Sequence, residues 1–336
     1  MRRRINDQRS RIYCVLALVA AIILLIALYQ GGRWLEKKSE KPEIRGDYRQ
    51  RYAYDTLLEY DGATYRLRRN ITTMLVMGID RPSSYAGSGY RNGGQADFLR
   101  LVVLDHTNQC VSQLAIDRDT MTPITILGVL GNRSGTRTAQ VSLSHGFGDG
   151  QAESCALTVD AVSNLLLNTP IDCYAAMNLD GISVLNDLLG GVTVTLEDDF
   201  SALDPTMTQG TTLTLQGEQA EIYVRSRRNI GMGTNEARML RQEQYLTQLM
   251  SKMNARQKED REFVGTAYDA LEAYLVTDLS RGQMINEAWD ASTYEQTELM
   301  RLEGTHQVGT DGFMQFYADE AALQRTVVEL FYEKVE

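Results

Sequence analysis

The run Ile12–Tyr29 (IYCVLALVAAIILLIALY) contains no charged side chain, and this constrains the chain more than any other feature. A bilayer-spanning helix needs roughly 20 apolar residues, sometimes about 17. Arg2, Arg3, Arg4, Arg9 and Arg11 precede the run, with only Asp7 against them. That bias predicts an N-terminus on the cytoplasmic side and a single-pass, uncleaved signal-anchor, with everything after it outside the cell membrane. A cleaved signal peptide is the competing reading. Against it, the apolar run is long, and Leu28-Tyr29-Gln30-Gly31 offers no small-x-small cleavage site.

This orientation changes how charge is read. Residues 42–336 carry 25 basic and 41 acidic side chains. An acidic ectodomain argues against nucleic-acid binding, which depends on neutralising phosphates. The cytoplasmic segment 1–11 is also too short for a DNA-binding domain. Cys110, Cys155 and Cys173 would face an oxidising or neutral exterior. One disulfide among them and three small buried hydrophobes are both open readings. Their spacing matches no zinc pattern.

A polar linker over 30–47 leads to a β-hairpin signal within 48–70: Leu57–Tyr60 and Ala63–Leu67 flank Asp61-Gly62. Three short apolar runs follow, Ile71–Ile79, Phe98–Asp105 and Cys110–Ile116, which read as strands. If they form an antiparallel meander, one edge collects Asp80, Asp97 and the triplet Asp117-Arg118-Asp119 around a Gly-rich loop. Beyond them the pattern predicts helices over Thr158–Leu167, Asp180–Leu189, Gln216–Val224, Asn235–Met253 and Asp319–Glu333. Strands are expected over Ile171–Asn178 and Val192–Leu196. The expected fold is α/β, a mixed central sheet flanked by helices, with residues 254–336 packing on the same domain.

Two constellations carry chemistry. The first is the carboxylate edge, which could also be ordinary polar strand ends. The second is a knot of arginines: Arg225, Arg227 and Arg228, then Arg238 and Arg241. On an extended stretch Arg225 and Arg227 would point the same way. Arg238 and Arg241 fall on neighbouring positions of one helix face. Surface ion pairing is the plain alternative. Together, however, carboxylates suit Mg²⁺ and arginines suit the phosphates that complete its shell. That combination describes phosphoryl transfer. With three histidines and no Gly-x-Ser-x-Gly or phosphate-loop motif, other catalytic designs fare worse. His145 could line the site, although a lone histidine is more often structural.

The chain resembles the LytR–CpsA–Psr family of cell-envelope proteins. The matching segments are LVMGID (75–80), GGQADFLRLVVLD (93–105), LAIDRDTMTPI (114–124), SLSHGFGDG (142–150), TPIDCYAAMNLDGISVLNDLLGGVTVTL (169–196), LQGEQAEIYVRSRR (215–228) and NEARMLRQEQYL (235–246). They place the catalytic domain at 71–253. The resemblance implies a phosphotransferase that moves a glycopolymer, such as teichoic acid or capsular polysaccharide, from a polyprenyl-diphosphate carrier to peptidoglycan. It implies Asp80 and Asp97 as ligands of Mg²⁺, or of Mn²⁺ in its place. It also implies Arg118, Arg225, Arg227 and Arg238 on the diphosphate, with Gln242 nearby. Arg118, Asp119 and Arg225 are the implied catalytic residues, Asp119 either orienting Arg118 or serving as base. Gln95 and Gln140 stand where the family often carries cations, and Asn235 where it carries an aspartate. Both glutamines are expected at the diphosphate with weaker, uncharged hydrogen bonds. A non-catalytic polyprenyl-phosphate-binding regulator and a lipid-diphosphate hydrolase are the alternatives.

Overall fold

The computed structural model describes residues 57–81, 93–128, 131–226, 230, 231, 233 and 235–335. The apolar run 12–29, the linker 30–47 and Arg227 lie outside the described residues. Among the described residues no helix is long and apolar enough to cross a membrane.

In chain order the elements are β1 (Leu57–Tyr60), β2 (Ala63–Leu67), β3 (Ile71–Ile79), β4 (Ala96–Asp105), β5 (Cys110–Ile116), β6 (Met121–Leu127) and β7 (Arg133–Gln140). Then come α1 (Leu143–Gly146), α2 (Ala152–Leu165), β8 (Cys173–Asn178), α3 (Asp180–Leu188), β9 (Val192–Thr195), β10 (Thr212–Leu215) and α4 (Glu218–Arg225). The rest are α5 (Asn235–Glu259), α6 (Phe263–Leu271), β11 (Leu275–Thr277), α7 (Arg281–Thr293), β12 (Glu295–Arg301), β13 (Gly304–Val308), β14 (Met314–Ala318), α8 (Glu320–Phe331) and β15 (Tyr332–Lys334).

The lead-in hairpin forms at the Asp-Gly signal: Asp61 and Gly62 both take positive φ (49° and 69°), as a tight two-residue hairpin turn requires. The meander is also present. β3 pairs antiparallel with β4, and β4 with β5. β8 extends this sheet parallel to β3, and the full order is β11-β8-β3-β4-β5-β12, a mixed sheet. The expected last helix is shorter than its apolar pattern suggested. It stops at Phe331, and Tyr332–Lys334 become an edge strand on β2. Arg68, just after β2, fastens this small sheet to the large one: it donates to Asp105 Oδ2 (2.9 Å) and to the Tyr332 carbonyl (3.0 Å). Boundaries shift elsewhere too. The helix expected from Thr158 begins at Ala152 and ends at Leu165, before Leu167 and Asn168 turn into positive φ. The amphipathic helix expected to end at Met253 continues to Glu259.

Strand alternation sends the two faces of the sheet to different surroundings. Leu75, Met77, Ile79, Leu99, Leu101 and Leu114 pack into a core with α2 and α8. A second core gathers α3, α4, α5, α6 and the β9–β10 ribbon around Phe200, Tyr223 and Tyr245. On the opposite sheet face Met74, Val76 and Val102 border a cavity, while Met177 and Leu275 pack against the second core. Cys110, Cys155 and Cys173 are free thiols, so the disulfide reading does not hold among them. Cys155 and Cys173 are the buried hydrophobes of the other reading.

Candidate functional site

Antiparallel pairing of Ile79 with Ala96 and of Leu99 with Ile116 brings the end of β3, the start of β4 and the end of β5 to one edge. Asp80, Asp97 and the turn Asp117–Thr120 therefore lie together, as the meander argument expects. The loop between β3 and β4 is closed by Asp80 N–H donating to the Gln95 carbonyl (2.9 Å). Gly94 takes φ +74°, and a Cβ there would sit 2.9 Å from Arg81 Cβ, so this corner requires glycine.

Asp97 is the centre of the site. One carboxylate oxygen accepts from Arg118 Nη1, and the other accepts from Arg238 Nη1 at 3.2 Å. Its side chain is 12% exposed. Burial pushes the carboxyl above its ordinary range; Arg118 and Arg238 oppose the shift without cancelling it, and the Asp80 charge adds to it. Arg118 also donates through Nη2 to Gln95 Oε1, and its Nε lies 3.5 Å from Asp119 Oδ1. Gln95 thus accepts a hydrogen bond from Arg118, which an arginine at this position could not do. Asp119 is likewise raised by burial, with Arg118 pulling it down.

Arg225 closes the other side, with Nη2 3.7 Å from Asp80 and Nη1 3.0 Å from Glu221. The expectation that it lies on an extended stretch is corrected. Ala220, Tyr223 and Val224 bury at helical spacing, and α4 continues through Arg225 before Ser226 turns extended. The two arginines of α5 separate as well. Arg238 reaches Asp97, whereas Arg241 turns to Asp198 (2.8 Å), to the Ser226 carbonyl and over the Phe200 ring. Arg241 therefore braces the fold and does not line the site. Gln242 donates to the Val224 carbonyl at 3.1 Å, locking α5 to the end of α4. Gln140 donates to the Met314 carbonyl at 3.1 Å.

His145 is structural. It is fully buried, with Nδ1 3.3 Å from the Gly94 carbonyl and Nε2 3.9 Å from Cys155 Sγ. Burial lowers its pKa to about 4, outweighing the Gly94 and Gly93 carbonyls that favour the charged form. A neutral ring donating from Nδ1 pins the loop that presents Gln95 and Asp97.

These residues border a cavity of about 1230 Å³, set between the sheet and helices α3, α5, α6 and α7. Asp80, Gln95, Asp97, Arg118, Asp119, Gln140, Arg225, Arg238 and Gln242 all line it. Beyond them the wall is mostly apolar, with Val76, Val102, Leu249, Met253 and Leu271 among its lining, though Glu287 and Asp311 also line it. A large, mostly apolar cavity with charged groups gathered on one part of its wall suits an amphiphile with an anionic head. Among the described residues no three His, Cys, Asp or Glu side chains group as a metal cage. Asp80 and Asp97 are the carboxylates that could hold a cation, and Asp97 would have to release part of its pairing with Arg118 and Arg238 to do so. Two carboxylates suit a hard divalent ion that takes its other oxygens from water and phosphate. Sequence reasoning missed Asp311, Phe313 and Met314, which reach the cavity from the β13–β14 ribbon. Asp311-Gly312 is a turn-forming pair in the sequence, but nothing in it points toward this cavity.

A model of the LytR_cpsA_psr family matches residues 37–331. The chain belongs to this family. Among its curated relatives are the polyisoprenyl-teichoic acid–peptidoglycan teichoic acid transferases TagU of Bacillus licheniformis and of Bacillus subtilis. TagU of B. licheniformis is 24% identical over 97% of this chain and 96% of the relative. TagU of B. subtilis is 25% identical over 97% of each. The fold matches solved family structures. The crystal structure of B. subtilis TagV superposes with a TM-score of 0.59 at 22% identity, covering 78% of this chain and 98% of that one. TagT bound to LI-WTA gives 0.57 at 23% identity, covering 78% and 90%.

Proposed function

We propose that this protein is a membrane-anchored phosphotransferase that moves a glycopolymer from a polyprenyl-diphosphate carrier to peptidoglycan outside the cell membrane. The observation that carries this reading is the gathering of nine charged and amide side chains on the wall of one large, mostly apolar cavity. The names of its relatives support the donor and acceptor classes, and the uncharged run 12–29 supports the anchor.

In this reading the lipid chain lies along Val76, Val102 and Leu249, and the diphosphate sits among the charged groups. Arg118, Arg225 and Arg238 bind its oxygens, exchanging part of their present pairing with Asp97, Asp80 and Glu221 for the substrate's charge. Arg227 adds to this set. Mg²⁺, or Mn²⁺, held by Asp80 and Asp97 supplies further charge neutralisation when bound. Asp119, its carboxyl raised by burial, takes the proton of the acceptor hydroxyl. The acceptor oxygen forms a bond to the phosphorus that bears the glycopolymer. The bridging P–O bond breaks, and polyprenyl phosphate leaves with that oxygen.

The test uses the full chain in detergent with a lipid-diphosphate-linked teichoic acid precursor, Mg²⁺ and a peptidoglycan oligomer. Covalent conjugate is expected, falling by about 100-fold in Arg118→Ala, the scale of one lost charge-stabilising donor. Phosphate release without acceptor would instead mark a hydrolase, and tight binding with neither reaction a regulator.

A further inference from the structure

The β13–β14 ribbon is outside the central sheet, yet it holds the turn that carries Arg118. One side of that turn is fixed by its neighbours: Ser142 N–H donates to the Arg118 carbonyl (3.2 Å) and Val141 N–H to the Thr120 carbonyl (2.8 Å). The ribbon grips the other side of the turn at two points and β7 at a third. Phe316 N–H donates to the Asp119 carbonyl at 2.8 Å, and Phe316 bridges Thr120 in parallel. His306 Nε2 lies 2.8 Å from Asp117 Oδ2, its ring packed 4.7 Å from that of Phe316. Gln140, in β7, donates to the Met314 carbonyl.

Asp117 joins these two halves. Its Oδ1 accepts from the Asp119 N–H at 2.9 Å and its carbonyl from the Thr120 N–H at 3.0 Å, which shapes the turn from inside. Its Oδ2 faces His306. Both oxygens of one carboxylate are thus used, one to bend the turn and one to moor it. The far end of the same ribbon touches the cavity through Asp311, Phe313 and Met314. A molecule in the cavity therefore contacts the element that orients Arg118.

We propose that the 304–318 ribbon is a positioning element for Arg118, with His306 as the positioning residue acting through Asp117. The consequence for diphosphate binding rests on the function proposed above; the mooring of the turn does not. His306 is about half exposed, so one contact of this kind is expected to change affinity about fivefold.

Two measurements on the full chain in detergent test this. Without ligand, amide hydrogen exchange at Asp119 and Thr120 is compared in the wild type, His306→Ala and His306→Gln. Faster exchange in His306→Ala, restored by the amide donor of His306→Gln, is expected; unchanged exchange would overturn the proposal. Calorimetry with farnesyl diphosphate and Mg²⁺ then reads the link to Arg118. His306→Ala should weaken binding about fivefold in the wild type and have no further effect in Arg118→Ala. Fully additive losses would refute positioning through Arg118. Exchange that responds in a wild type unable to bind the diphosphate sustains the mooring and counts against the functional reading instead.

Discussion

His145 makes the stability of this fold depend on pH in a way that a single substitution isolates. The ring is neutral in the folded protein, with its pKa lowered from 6.5 to about 4 by burial. Its Nδ1–H donates to the Gly94 carbonyl, leaving Nε2 to face the Cys155 thiol. That thiol stays protonated, because burial pushes it up to about 12. As pH falls, the unfolded chain takes a proton near 6.5 while the folded chain does not until about 4. The stabilisation is therefore fully present above the unfolded pKa and is lost as pH drops through the window between the two. The full span corresponds to about 3 kcal/mol, of which about 2 kcal/mol is lost by about pH 5. His145→Asn keeps an amide N–H near the Nδ1 position and cannot titrate. Urea unfolding of both proteins at about pH 7.5 and about pH 5 gives a difference of differences in which all shared titrations cancel. The variant starts less stable, because it loses packing, but should lose about 2 kcal/mol less on acidification. Equal losses in the two proteins would refute the reasoning.

Asp97→Asn leaves Arg118 and Arg238 without their shared counter-charge and should cost about 3 kcal/mol in urea unfolding, with transfer no longer responding to Mg²⁺. Val76→Phe projects into the cavity from β3 and should weaken a long-chain polyprenyl diphosphate about tenfold more than a short-chain one, read by calorimetry. Equal weakening would mean that the chain lies elsewhere. Of Cys110, Cys155 and Cys173, only Cys110 should be alkylated in the folded protein without prior reduction, read by peptide mass spectrometry.

The carboxylate half of the site was legible because two short-range rules suffice for it. Strand period and turn length fix which ends of β3, β4 and β5 share an edge, so Asp80, Asp97 and Arg118 could be gathered before any tertiary contact was known. The arginine half was less legible. Arg225 and Arg238 reach the cavity through the packing of α4 and α5, and spacing alone could not separate Arg238 from Arg241. Their helical positions are similar, but Asp97 lies before one and Asp198 before the other. Gln95 was read as a weakened phosphate donor; in the structure its side-chain Oε1 accepts from Arg118. The β13–β14 ribbon was unreadable for a further reason. Its partners, Asp117, Asp119 and Gln140, lie more than 170 residues earlier in the chain.

The small sheet β1-β2-β15 sets how the domain would respond to force. A pull arriving along the chain at Leu57 meets the open end of the β1–β2 hairpin, where Leu57 pairs with Arg66. It would peel four residues pair by pair, the weakest loading direction for a ladder. Only then would it meet β2, held by β15 and by the Arg68 contacts to Asp105 and Tyr332. Under such a pull the hairpin would open first, lengthening the chain by a short, fixed amount before tension reached β3 and the aspartate after it.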